Sequence, residues 1–127
     1  MRSLDTSAIM AVVRGEPGAE FASRRMAGGL LSTVNYAEVI GALARRGIDA
    51  EEARATLAGL PTRKATASSS SMRRTGRLEI ATRREGLSLG DRTCLALAEH
   101  HGIPALTADR AWSTVGKRLG IEVELIR

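Results

Sequence analysis

The sequence predicts an α/β fold with a parallel sheet, and three observations support this prediction. Short apolar runs at residues 2–4, 30–33, 104–107 and 121–126 alternate with longer segments of helical character. Alternation of this kind is typical of parallel strands joined by helical crossovers. The chain has 127 residues, the size of one domain, and its few aromatic residues indicate an aliphatic core. The final run, 121–126, alternates in polarity and is predicted as an edge strand.

Seven helices are predicted between these strands. The clearest runs from Asn35 to Arg46, where Val39, Ile40 and Leu43 recur at spacings of three and four. The next begins at Asp49, which has Glu52 three residues further on, the pattern of a capping box. The predicted helices cover residues 6–13, 19–26, 35–46, 49–60, 78–84, 91–101 and 111–119.

Residues 61–77 interrupt this pattern. The segment shows neither a helical nor a strand period, and it reads as a low-complexity basic stretch. It holds five of the 19 basic residues and no acid, so the rest of the chain balances at 14 basic and 14 acidic residues. Two interpretations stay open: a patch that attracts a polyanion, and a solvated, flexible segment.

Four acidic residues occupy positions that such a fold could bring together. Asp5 and Asp109 follow predicted strands, whereas Glu38 and Asp91 lie near the starts of predicted helices. Residues at the carboxyl ends of parallel strands converge on one crevice. A cluster of carboxylates needs a cation, and a divalent metal held by carboxylates suggests phosphodiester hydrolysis. Taken singly, each acid also has an ordinary interpretation as a helix cap, a solvated side chain or a turn residue.

The residues around these acids resemble the PIN domain, and specifically the VapC-type toxins of bacterial toxin–antitoxin pairs. The resemblance extends over residues 2–58 and 78–127. Four segments in this order make it specific, although each alone would be weak. They are LDTSA at 4–8, LSTVNYAEV at 31–39, LSLGDRTCLALA at 87–98 and PALTADRAW at 104–112.

This resemblance implies a single PIN domain over residues 1–127, a three-layer α/β/α fold with a central parallel sheet. It implies an Mg²⁺- or Mn²⁺-dependent endoribonuclease that a cognate VapB-type antitoxin silences, and family habit suggests a homodimer. The acids Asp5, Glu38, Asp91 and Asp109 match the family's catalytic and metal-binding quartet. Thr6 or Ser7 and Thr107 match hydroxyl residues that support the metal site, and Asn35 lies on the approach to the second acid.

Within the quartet, Asp5 and Asp91 are predicted to bind the metal directly. Asp109 and Glu38 would bind a second ion or hold metal-bound waters, an arrangement suited to in-line displacement at phosphorus. Arg92 and Arg110 each follow a site acid, and three roles stay open for them: binding RNA phosphate, pairing with a carboxylate, or simple surface exposure.

Residues 61–77 also depart from the resemblance, because relatives carry an apolar strand and then a helix there. A compensated change of reading frame would explain a segment of normal length and abnormal character. This hypothesis puts the third strand of the sheet and the local core in doubt, and it leaves the four acids untouched.

Other chemistry has little support in the sequence. His100 and His101 lack a metal-ligand spacing, Cys94 reads as a buried core thiol, and no Ser-His-Asp set or phosphate-binding glycine loop is visible. The absence of a signal peptide and of a membrane-length apolar run leads us to expect a cytoplasmic protein. Two alternatives to a toxin ribonuclease remain: a non-catalytic PIN-like interaction module and a metal-dependent DNA nuclease.

Overall fold

The computed structural model describes residues 1–127, and five parallel strands form its single sheet. The strand order is β3-β2-β1-β4-β5, so the chain builds outward from β1 in one direction and then in the other. The crevice between β1 and β4 is therefore the topological switch point, where ligands of open parallel sheets bind. The strands are β1 (Ser3–Leu4), β2 (Leu30–Ser32), β3 (Arg63–Ala65), β4 (Ala105–Thr107) and β5 (Val123–Leu125).

Seven helices complete the fold. None of them combines the length and the apolar character that crossing a membrane would need. Where the sequence has a clear helical period, the predicted helices are present, with ends that shift by at most two residues. The helices are α1 (Thr6–Arg14), α2 (Ala19–Arg25), α3 (Thr33–Ala44), α4 (Ala50–Ala58), α5 (Ser69–Ala81), α6 (Leu89–His101) and α7 (Trp112–Leu119).

Two hydrophobic cores make this a three-layer α/β/α structure, as expected. The first lies between the sheet and the four helices α1, α2, α3 and α4, and it includes Leu4, Leu31 and Leu106. The second joins α5, α6 and α7 with the sheet and includes Ala105 and Trp112. Because neighbouring side chains of a strand point to opposite faces, Ala105 and Leu106 of β4 contribute to different cores.

The prediction for residues 61–77 is wrong in its secondary structure. Instead of an irregular stretch, the segment holds all of β3 and most of α5, which begins at Ser69 and ends at Ala81 rather than spanning 78–84. The strand pairs with β2 along its length, with Leu30 opposite Arg63 and Ser32 opposite Ala65. This pairing uses backbone groups, so it places little demand on the side chains of an edge strand.

The atypical composition of residues 61–77 appears instead as poor burial. Arg63 and Lys64 are exposed on β3, where the Lys64 ammonium lies 4.6 Å from the centre of the Tyr36 ring. Of the α5 residues, only Thr75 and Leu78 are fully buried. The N-terminus of α5 is closed by a capping box in which Ser68 and Ser71 exchange hydrogen bonds with each other's backbone N–H.

The capping box provides a test of whether this segment is ordered. We expect Ser68→Ala to lower the free energy of unfolding by about 1 kcal/mol, because the mutation removes an N-cap acceptor. The matched control is Ser69→Ala, an identical chemical change at the neighbouring exposed position, which should be neutral or slightly stabilising. Urea denaturation measures both changes, and equal effects would contradict a structured α5 N-terminus.

Candidate active site

The four predicted site acids line one cleft at the carboxyl ends of β1 and β4. The cleft has a volume of about 900 Å³, and Asp5, Glu38, Asp91 and Asp109 all contribute to its wall. Asp5 follows β1 directly, and Asp109 lies two residues after β4. Glu38 comes from α3 and Asp91 from the first turn of α6. The topology thus collects side chains that are more than 100 residues apart in the chain.

Asp5 is the most buried of the four acids, with 4% of its surface exposed. Its Oδ2 atom accepts hydrogen bonds from the hydroxyl groups of Ser7 at 2.5 Å and Thr107 at 2.8 Å. Burial is the main cause that raises the pKa of Asp5 to about 6; the charge of Asp91 adds to it, and the two hydroxyl groups oppose it. A carboxylate whose pKa is raised by burial in this way is typical of a functional site.

The same two hydroxyl groups fix the loop that carries Asp109. The Ser7 hydroxyl accepts a hydrogen bond from the backbone N–H of Ala108 at 2.9 Å, and the Thr107 hydroxyl accepts one from Asp109 at 3.0 Å. Each hydroxyl therefore connects the Asp5 carboxylate to the backbone after β4. Ser7 and Thr107 thus hold the Asp5 carboxylate and the segment after β4 in fixed positions relative to each other.

Asn35 links three helices behind the site. Its side-chain amide is fully buried and donates to the Thr6 hydroxyl, the Glu38 carboxylate and the backbone carbonyl of Gly90, at 3.1–3.2 Å. The Thr6 hydroxyl donates to the same Glu38 oxygen at 2.6 Å. Asn35 and Thr6 therefore orient Glu38 and hold α6 against α3.

Glu38 and α6 are packed so closely that a side chain at Gly90 would force the Glu38 carboxylate to move. A Cβ atom at Gly90 would lie 2.1 Å from Oε1 of Glu38, well inside van der Waals contact. Next to it, Asp91 accepts a hydrogen bond from the Ser88 backbone N–H at 2.9 Å and completes a capping box. Asp91 therefore does not cap α6 itself, because Ser88 is the N-cap and Asp91 is the third residue of the helix. Its role in the capping box is compatible with a place in the cleft.

Each of the four carboxylates uses one oxygen for the protein and leaves the other one free. Hydrogen bonds reach only Oδ2 of Asp5, Oε1 of Glu38, Oδ2 of Asp91 and Oδ1 of Asp109, the last from the Ala111 backbone N–H. Protein donors thus orient the carboxylates as hydrogen-bonding partners orient metal ligands.

The donor set suits a hard divalent cation such as Mg²⁺, which prefers oxygen ligands. A cation would also offset the burial of Asp5 and its repulsion from Asp91. As the side chains stand, however, no three acidic, histidine or cysteine side chains are grouped closely enough to hold a metal ion. The side chains are therefore of types that bind a divalent metal, and they would have to move closer together to bind one.

Arg45 is a cleft residue that was not predicted from the sequence. It lines the cleft together with the small residues Ala37, Gly41 and Ala42 of α3. The spacing in the sequence indicates this position, because Arg45 lies seven residues after Glu38 and thus on the same helix face. The two arginines that follow site acids in the sequence do not line the cleft: Arg92 pairs with Glu79 at 3.0 Å, and Arg110 is exposed outside the cleft lining. No cation of residues 61–77 lines the cleft either.

The raised pKa of Asp5 predicts a pH-dependent cost to folding. Without metal, Asp5→Asn should raise the free energy of unfolding at pH 7 by about 1–3 kcal/mol, because the wild type must keep a buried charge. The folded-state pKa lies above the unfolded value of 3.8, so the difference should vanish below about pH 4 and grow as the pH rises through 6.

Urea denaturation in a chelating buffer at several pH values measures this effect. Asp49→Asn is the control, because Asp49 is an exposed N-cap and asparagine caps a helix equally well. An Asp5→Asn protein no more stable than the wild type at pH 7 would show that Asp5 carries no such cost.

The contact at Gly90 gives a second prediction. Gly90→Ala should displace the Glu38 carboxylate, because the new methyl group overlaps it. The loss of its hydrogen bonds with Thr6 and the buried Asn35 amide should destabilise the fold by about 1–3 kcal/mol. Gly76→Ala is the control: Gly76 is also within a helix but has open space around it, so its replacement should stabilise the protein. Thermal unfolding distinguishes the two, and a stabilising Gly90→Ala would contradict the described packing.

Solved structures of similar fold come from bacterial toxin–antitoxin systems. A toxin–antitoxin complex from Klebsiella pneumoniae superposes with a TM-score of 0.72 at 18% identity, covering 98% of this chain and 96% of that one. VapC20 of Mycobacterium tuberculosis, a toxin that cleaves the sarcin–ricin loop, gives 0.73 at 21% identity, with coverages of 89% and 93%. DNA-bound VapBC from Salmonella typhimurium gives 0.70 at 18% identity, with coverages of 98% and 96%.

At these identities the structural likeness demonstrates a shared fold. No match to the chain was found among curated proteins. The family model of the PIN domain, in contrast, matches residues 3–118 and so includes all four acids of the cleft. With its parallel sheet, two helical layers and acidic cleft at the switch point, the chain belongs to the PIN domain family.

Proposed function

We propose that this chain is the toxic component of a type II toxin–antitoxin system. In this proposal it is an Mg²⁺- or Mn²⁺-dependent endoribonuclease that a cognate VapB-type antitoxin neutralises. The observation that supports it best is the convergence of Asp5, Glu38, Asp91 and Asp109 on one cleft of a PIN domain. Toxin–antitoxin proteins of the same fold, one of which cleaves RNA, add to this support.

In the proposed reaction, Asp5 and Asp91 would hold the metal directly. Asp109 and Glu38 would hold a second ion or metal-bound waters. When bound, such an ion supplies Lewis acidity and lowers the pKa of a coordinated water. Ser7 and Thr107 hold Asp5 in place, and Asn35 and Thr6 hold Glu38, so the carboxylates face the cleft before substrate arrives.

The same proposal includes the substrate, the cellular location and the oligomeric state. The substrate is RNA, the protein acts in the cytoplasm where RNA and antitoxin are present, and it forms a homodimer.

A second candidate function is a non-catalytic PIN-like interaction module. It is favoured by one observation, that the acids are not grouped closely enough to hold a metal ion as they stand.

Cleavage of total cellular RNA by the purified protein tests the main proposal. We expect cleavage with Mg²⁺ or Mn²⁺, none with a chelator, and a loss of at least about 10²-fold in Asp5→Asn and in Asp91→Asn. The control Asp49→Asn replaces an exposed acid outside the cleft and should cleave like the wild type.

The outcomes separate the candidate functions. Equal cleavage by the wild type and Asp5→Asn would exclude this site as the source of the activity. A folded protein that binds its antitoxin tightly but cleaves nothing would favour the interaction module. Matched RNA and DNA substrates distinguish a ribonuclease from a DNA nuclease.

A further inference from the structure

We propose that one face of α3, together with its C-cap residue Arg45, binds a phosphate of the RNA strand beside the phosphate that is cleaved. This inference rests on the proposed ribonuclease function and adds to it a substrate-binding residue. The α3 groove, as we call it, consists of Glu38, Gly41, Ala42 and Arg45, all of which line the cleft.

The spacing of these residues creates a continuous path along the helix. Positions 38, 41 or 42, and 45 follow each other at intervals of three and four residues, so they share one face. With a rise of about 1.5 Å per residue, Arg45 lies roughly 10 Å along the helix axis from Glu38. The groove therefore leads away from the acids, in a direction that the neighbouring part of a bound strand could follow.

Arg45 has the properties that a phosphate ligand needs. Its side chain is exposed and makes neither an ion pair nor a side-chain hydrogen bond. Its Nη1 atom lies 3.9 Å from the position of a Cβ atom on Gly41, so the side chain extends back along α3 towards the acids. Arginine in this position offers several donors to phosphate oxygens.

The charge of the cleft makes such a residue necessary. Four acids line the cleft, and their charges repel a polyanion wherever no metal compensates them. Arg45 is the only lysine or arginine in the cleft lining. It is therefore the one positively charged side chain there that can attract the strand.

Gly41 leaves the groove open beside Arg45. A Cβ atom at Gly41 would meet only the end of the flexible Arg45 side chain, so no other protein atom fills the space above this residue. The space above Gly41 is instead open to the cleft, where a strand could approach the helix backbone closely.

Binding and cleavage by matched variants test the α3 groove. In the Asp5→Asn protein with Mg²⁺, the probe is a short fluorescein-labelled single-stranded RNA, and fluorescence anisotropy gives its Kd. We expect Arg45→Ala to raise the Kd about tenfold, the loss of one charge-assisted contact. Arg46→Ala is the control, since Arg46 has the same charge at the next position, is exposed and does not line the cleft; it should change the Kd less than about twofold.

Two further readouts distinguish a phosphate contact from a general effect. The slope of log Kd against log salt should fall by about 0.7 in Arg45→Ala and stay unchanged in Arg46→Ala. In the otherwise wild-type protein, Arg45→Ala should raise KM with little change in kcat. Gly41→Leu should also weaken RNA binding, whereas Gly41→Ala should raise the melting temperature.

Equal effects of Arg45→Ala and Arg46→Ala on a folded protein would overturn the inference. So would weaker antitoxin binding with unchanged RNA binding in Arg45→Ala, which would make Arg45 an antitoxin contact instead. Its failure is distinguishable from that of the proposed function. If RNA is cleaved but Arg45→Ala behaves like the wild type, only the groove is wrong; if the wild type neither binds nor cleaves RNA, both proposals fail.

Discussion

The buried carboxylate of Asp5 is the constraint on which the site depends. It follows the central strand directly, so neighbouring elements surround it and water has little access. Its charge is tolerated because two hydroxyl groups donate to it, and these in turn accept from the backbone after β4. One electrostatic requirement thereby fixes the end of β4 and the position of Asp109 relative to β1. The other acids are oriented by the same device, one oxygen held and one free.

Much of the fold was predictable because burial leaves a periodic pattern in the sequence. The apolar stripe of α3 and the apolar run of β4 record contacts with the core, and both elements formed as expected. β3 and α5 could not be predicted in this way. β3 lies at the edge and is held by backbone hydrogen bonds to β2, while α5 buries only Thr75 and Leu78 fully. These two elements therefore form through contacts with the rest of the fold, although the local sequence shows little preference for them.

For the site, the sequence revealed the acids but not the surroundings that give them their properties. Asp5 and Asp109 were recognisable because the positions after parallel strands converge. The contact between Gly90 and Glu38, in contrast, arises only when α6 packs on α3, and the sequence of neither segment predicts it. Proximity in sequence favours Arg92 and Arg110, which directly follow site acids, whereas helix geometry places Arg45, the seventh residue after Glu38, in the cleft lining.

The basic composition of β3 also bears on how the protein behaves in a crowded cell. A parallel sheet of five strands has two open edges, and β3 forms one of them. Unpaired backbone groups at such an edge invite strand addition by other chains, and exposed lysine or arginine is a common defence against it. Arg63 and Lys64 are both exposed there. The residues that contribute least to the core thus protect the sheet against aggregation through this edge.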